Sequence, residues 1–332
     1  MTEIDPGATI EASLGGGPHP ARRIAMFLLK YVVGISLIVW MVASGKVDLS
    51  VARSLPAALV AECAALMVVQ SILAALRVRY ILAHQSIRTG VLQCLLYNCA
   101  GILYSAFLPG GISGDAVRAY LFMKAVPRHR FAILGAMLLD RLMGLISMVA
   151  LGLAAAFYMA MGVALIRPYL LAFTGIFAVL VGGLALLHFI GARHGEAAAA
   201  NGRIARAWAR VRRMVAELRI HHYGAGVLLL VVAQSMVIHL TAVLVIYLCS
   251  VHSSAGLGFL RVFVATPIGL LVNAIPLSPG GLGIGENAFE LLYRAIGGTH
   301  GGTSFLIARF FLYSPALVGL AYVLKRMVTR RR

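Results

Sequence analysis

Six apolar runs, near residues 24–44, 56–76, 131–158, 169–191, 225–250 and 304–324, constrain this chain more than any other feature. A helix needs about 20 apolar residues to cross a bilayer core, and each run supplies roughly that length. Inside hydrocarbon the backbone must satisfy its own polar groups, which admits only helices or closed barrels. Unbroken apolar stretches of this length read as helices. The composition agrees, since 61% hydrophobic residues, 12% charged residues and a mean hydropathy of +0.92 lie far outside the range of a soluble domain. The expected fold class is therefore all-α, a polytopic integral membrane protein with about six full transmembrane helices.

Four shorter apolar pieces, about 91–108, 112–124, 257–274 and 285–297, come in two pairs. Each pair is split by nearly the same breaker: Pro109-Gly110-Gly111-Ile112-Ser113-Gly114-Asp115 and Pro279-Gly280-Gly281-Leu282-Gly283-Ile284-Gly285-Glu286. Proline and glycine stop a helix, and at membrane depth the freed backbone groups need partners from protein or from a water-filled cavity. The pairs are expected to be broken, re-entrant-type helical hairpins. Broken helices at matching places in two halves are the sequence pointer to a transporter's binding site.

Basic residues decide orientation. The chain has 29 Lys plus Arg against 11 Asp plus Glu, but they gather where spans end, as the positive-inside rule requires, so nucleic acid is not an expected partner. Arg22, Arg23 and Lys30 precede the first span, Arg77, Arg79 and Arg88 are read as following the second, and Lys124, Arg128 and Arg130 follow the first hairpin. The tail carries Lys325, Arg326 and Arg330 to Arg332. Both termini are predicted to be cytoplasmic. With the ends fixed, the first hairpin enters from the cytoplasmic side and the second from outside, so two halves, about 56–191 and 225–324, form an inverted repeat of the kind that underlies alternating access. Residues 1–21 are expected to be a disordered cytoplasmic tail and 22–328 a single transmembrane domain.

Between the halves, residues 192–222 are polar. Ile204, Trp208, Val211, Val215 and Leu218 recur at helical spacing, with Arg203, Arg206, Arg210 and Arg213 largely on another face. This pattern fits an amphipathic helix on the anionic cytoplasmic leaflet, or a solvated basic linker. Cys63, Cys94, Cys99 and Cys249 sit in apolar segments and behave as small hydrophobes, so no disulfide, metal or cofactor is assigned.

Charges within spans are costly and tend to face a bundle interior or a cavity. The candidates are Asp115, Arg118, Asp140, Arg141, Glu286 and Arg309, with Gly110, Gly111, Gly280 and Gly281 in the breakers. In one reading the arginines hold an anionic head group through paired hydrogen bonds, and free amides after each Pro-Gly-Gly add an anion site. In the other, Asp115 and Glu286 cap their helices, Asp115 pairs with Arg118, and Asp140 neutralises Arg309 or Arg141. Glu62, Gln70, Gln234 and His239 are expected to be packed interhelical hydrogen-bond partners. Asn98 and Asn273 precede the two breakers at corresponding places and are suited to satisfying freed backbone groups.

The three ordered motifs, Pro109-Gly110-Gly111 through Asp115 and Arg118, Asp140-Arg141-Leu142 with Gly144-Leu145, and Pro279 to Gly283 with Glu286, resemble the flippase-like transmembrane domain of lysylphosphatidylglycerol synthases. The resemblance covers roughly 22–328. It implies a multi-pass protein of the bacterial inner membrane that moves or handles lipids, with an anionic or phosphate-bearing lipid as the expected ligand. The chain stops at Arg332 in a short basic tail, so synthesis of lysylphosphatidylglycerol is not expected. A flippase is the leading expectation, with no catalytic residue assigned. The alternatives are a membrane-embedded enzyme on a lipid-linked phosphate or sugar, and an accessory subunit that works beside envelope lipid-biosynthesis enzymes.

Overall fold

The computed structural model describes residues 29, 32, 35–107, 113–160, 167–192, 203–275 and 277–330. The predicted tail 1–21, part of the first span and the first Pro-Gly-Gly lie outside them. The described chain is helical, and five helical spans among the described residues, the last made of two helices in series, are long and apolar enough to cross a bilayer. In chain order the elements are α1 (Ala57–His84), α2 (Val91–Phe107), α3 (Ser113–Ala125), α4 (Arg130–Ala160), α5 (Arg167–Ala192), α6 (Arg203–Glu217), α7 (Ala225–His252), α8 (Phe259–Asn273), α9 (Ile284–Ala295), α10 (Gly301–Leu312) and α11 (Pro315–Arg330). A short helix, Leu49–Arg53, precedes them and is capped by the Asp48 carboxylate.

The two halves share one plan: a 28-residue helix (α1, α7), a hairpin of two short helices (α2–α3, α8–α9), then a long element (α4, and α10 with α11). The α1 and α7 helices pack antiparallel. Arg77 meets Ser235, Gln70 meets Thr241, and Tyr223, just before α7, donates to the carbonyl of Ile81. The second half therefore runs against the first, as the inverted repeat requires. Each hairpin builds its own core at one end of this central pair. The first hairpin packs with the C-terminal half of α1 and the start of α7 around Phe122, Ile133 and Tyr223. The second packs with the N-terminal half of α1 and the end of α7 around Phe289, Tyr293 and Phe305.

The long elements cross over. The α11 helix of the second half lies on α2 of the first, where Gly319 admits the backbone of Cys99. Reciprocally, α4 lies on α8, where Gly152 faces Pro267, the proline inside that helix. The α5 helix covers α4 from outside and is mostly exposed, the pattern of a lipid-facing span.

Two expectations about elements need correction. The second span does not stop at 76 but continues to His84, because Val78, Ile81 and Leu82 extend its apolar face, so Arg77 and Arg79 belong to the helix and not to a loop. The last span, predicted as one helix over 304–324, is two helices that meet at Tyr313–Ser314. Pro315 cannot donate to the preceding turn, which ends α10 and starts α11.

Candidate functional site

A cavity of about 370 Å³ lies where the two hairpins face each other. Gln70 and His239, which line it, sit close to the midpoints of α1 and α7. A 28-residue helix is about 42 Å long, so the cavity is roughly 20 Å from either end of the central pair. Its apolar wall includes Ile102, Leu270 and Phe305, and its polar wall includes Arg141, Asn273, Arg309 and Tyr313. Arg141 and Arg309, one predicted arginine from each half, thus reach one space.

Arg309 is almost fully engaged. Its Nε and Nη2 atoms donate to the two carboxylate oxygens of Glu286, Nη2 also meets the Asn273 side chain at 2.9 Å and the Gly281 carbonyl at 3.1 Å, and Nη1 meets the Gly280 carbonyl. Phe305 lies under the guanidinium, its ring centre 4.9 Å away. The Glu286 side chain is fully buried and also accepts from the Gly283 amide at 2.7 Å, closing the first turn of α9. Tyr313 donates to the same Gly280 carbonyl.

This overturns one expectation about the second breaker. The amides of Gly281, Leu282, Ile284 and Gly285 donate to carbonyls of the breaker and its flank, and that of Gly283 to Glu286, so they form no open anion site. Carbonyls of Gly280 and Gly281 point at Arg309 instead. The conformation depends on glycine: Gly281 has φ +72° and a Cβ there would come within 2.3 Å of Asn273. Gly110 and Gly111 lie outside the described residues.

The first half is wired differently. Asp140 is buried between two guanidinium groups, with Arg118 Nη2 at 2.7 Å and Arg77 Nε at 2.8 Å. Arg118 further meets Asp115 at 3.2 Å and the Asn98 side chain at 3.3 Å, while Arg77 donates to Ser235 at 2.8 Å. Arg118 and Asp140 lie behind the cavity and do not line it. The expected pairing of Asp140 with Arg309 or Arg141 is therefore wrong, because Arg77 on α1 and Arg118 on α3 occupy both sides of the carboxylate. Asp115 instead reaches Arg141, at 3.6 Å. That contact parallels Glu286 with Arg309 but is looser, and the Arg141 side chain remains 44% exposed.

Charge follows from these contacts. In the first half three guanidinium groups, Arg77, Arg118 and Arg141, face two carboxylates, Asp115 and Asp140, whereas Glu286 and Arg309 balance each other. The surplus positive charge rests on Arg141, the arginine with the most exposed guanidinium and the longest contact. Gln70 and His239 are packed interhelical partners as expected, bonded to Thr241 and to the Gly144 carbonyl, but they also line the cavity, whereas Glu62 is exposed and the buried Gln234 Oε1 has no partner among the described residues. Among the described residues Asn98 and Asn273 accept from arginines, Arg118 and Arg309, and the backbone of the first breaker, which Asn98 was expected to satisfy, lies outside them. Arg77 went unrecognised as a site residue. The signal was its register: two residues from Arg79, it faces the opposite side of a helix whose apolar face runs on to Leu82.

A family model described as the lysylphosphatidylglycerol synthase TM region matches residues 27–319. No curated protein matches the chain.

Proposed function

The chain belongs to the lysylphosphatidylglycerol synthase transmembrane family, a multi-pass membrane domain, and from that premise we propose that it translocates a lipid bearing an anionic, phosphate-containing head group. The observation that carries this reading is Arg141. It is a half-exposed guanidinium with surplus charge, in a cavity at mid-length of the bundle, between two broken hairpins of opposite direction. Transporter sites occur at such repeat interfaces. A volume of about 370 Å³ is near the low end for small-molecule sites. It suits a head group whose acyl chains stay outside in lipid. Arg141 supplies the planar fork that binds phosphate oxygens, while Arg309, with Gly280 and Gly281, shapes the opposite wall. Asp115 competes with the ligand for Arg141, and its 3.6 Å contact is loose enough to be displaced.

In this reading the protein lies in a bacterial inner membrane with cytoplasmic termini, and α6 rests on the anionic leaflet. Val211 and Met214 of that helix are exposed apolar residues, as a surface-lying helix requires. Reconstitution in liposomes with labelled anionic and zwitterionic lipids tests the central claim. Wild-type protein is expected to exchange an anionic class between leaflets, and folded Arg141→Gln protein to lose at least about 90% of that rate, as loss of a charge-assisted contact predicts. Equal exchange by wild type and variant would sink the proposal.

A further inference from the structure

A second groove, of about 330 Å³, lies away from the central cavity and shares no lining residue with it. It is walled by Tyr104 of α2, Val117, Tyr120, Leu121 and Lys124 of α3, and Tyr322, Val323 and Arg326 of α11. It therefore joins the hairpin of the first half to the last helix of the second.

Its geometry is built from a doubled unit. The α2 helix runs antiparallel to α3, as Asn98 with Arg118 and Gly101 with Gly114 show, and antiparallel to α11, where Tyr97 stacks near Tyr322 and Gly319 abuts Cys99. Hence α3 and α11 run in the same direction, both packed on α2. Tyr97 touches both Phe122 and Tyr322, which sets these two stretches at one level. Tyr120 with Lys124 on α3, and Tyr322 with Arg326 on α11, are then matching tyrosine and cation pairs at four-residue spacing. The Lys124 ammonium lies 6.0 Å from the Tyr120 ring centre and the Arg326 guanidinium 5.9 Å from that of Tyr322, to whose hydroxyl it also donates at 2.9 Å. Neither cation meets a carboxylate among the described residues, and none lines the groove.

Orientation by the positive-inside rule explains single cations at span ends. It does not explain two, from different halves of the chain, that line one largely apolar trough near the ends of α3 and α11. We propose that this groove binds one anionic phospholipid, its phosphate between Lys124 and Arg326 and an acyl chain along Val117, Leu121 and Val323, as a fixed lipid that bridges the two halves. Two like charges left together repel, and a phosphate between them removes that repulsion while offering acceptors to both. Tyrosines at the water boundary of the membrane suit the glycerol region.

Binding of phosphatidic acid and of phosphatidylcholine to detergent-purified protein, titrated by native mass spectrometry, tests this. The titration is run on wild type and on Arg141→Gln, which removes the surplus charge of the central cavity. In both, phosphatidic acid is expected to bind about tenfold more tightly than phosphatidylcholine, and Lys124→Gln/Arg326→Gln added to either is expected to erase that preference. Lys124 is exposed, so Lys124→Gln alone, expected to weaken phosphatidic acid about threefold, serves if the double variant elutes aggregated. An unchanged dissociation constant in the folded variants overturns the proposal. So does soluble glycerol phosphate that raises the melting temperature as far as phosphatidic acid does, since that outcome marks an ion site and not a lipid site. Loss of the preference in Arg141→Gln by itself assigns the anion to the central cavity, and overturns the proposal equally.

Discussion

Arg141 and Arg309 look equivalent in the sequence, each an arginine at a similar distance behind a breaker, yet they are not interchangeable. Arg309 is held by Glu286, Asn273 and two carbonyls, so its main effect is to fix the second breaker. Glu286→Gln leaves that guanidinium buried without its counter-charge and is expected to destabilise the protein by about 3–5 kcal/mol, read as a fall in melting temperature in detergent, whereas Arg141→Gln is expected to melt within a degree or two of wild type. A Glu286→Gln protein as stable as wild type would show that the pair is dispensable for the fold. The sequence exposed these side chains because a charge inside an apolar run is costly. It revealed the near pair of Asp115 with Arg118 but not the other ion-pair partners, which lie 22 to 63 residues away in the chain. Asp140 makes the point: its neighbour Arg141 points elsewhere, and its true partners are Arg118 and Arg77.

At the scale of elements, helix length and the two hairpins were legible, since apolar periodicity and Pro-Gly-Gly report directly on backbone geometry. Helix ends were less so. The extent of α1 was hidden by two arginines, the buried Arg77 and the exposed Arg79, and the division of α10 from α11 by a lone Pro315 within an apolar run. Close packing within the first hairpin depends on Gly114. A Cβ there would lie 2.0 Å from the Ser105 hydroxyl and 2.2 Å from the Gly101 carbonyl. Gly114→Ala is expected to force α2 from α3 and to cost about 1–3 kcal/mol, as overpacking does. Gly183, in the mid-region of α5, has nothing within 4 Å of its would-be Cβ, so Gly183→Ala is expected to gain about 0.5–1 kcal/mol from helix propensity. Thermal unfolding of the two variants side by side decides the matter, and equal shifts would refute the packing argument.

For the whole molecule, the reciprocal placement of α11 on α2 and of α4 on α8 means that each half completes the packing of the other's hairpin. Residues 1–199 expressed alone are expected to aggregate, and co-expression with residues 200–332 to restore a monodisperse, co-purifying complex. A monodisperse 1–199 fragment would contradict that dependence. No local pattern carries this cross-packing, because it rests on contacts between residues more than a hundred positions apart. The central cavity also has an electrical consequence. Three guanidinium groups against two carboxylates make the empty site a unit positive charge, and a unit charge is worth about 2.3 kcal/mol per 100 mV of membrane potential. In the translocation proposed above, a singly charged head group would cancel it. The loaded cavity would then be indifferent to voltage, and the membrane potential would act on the return of the unloaded one.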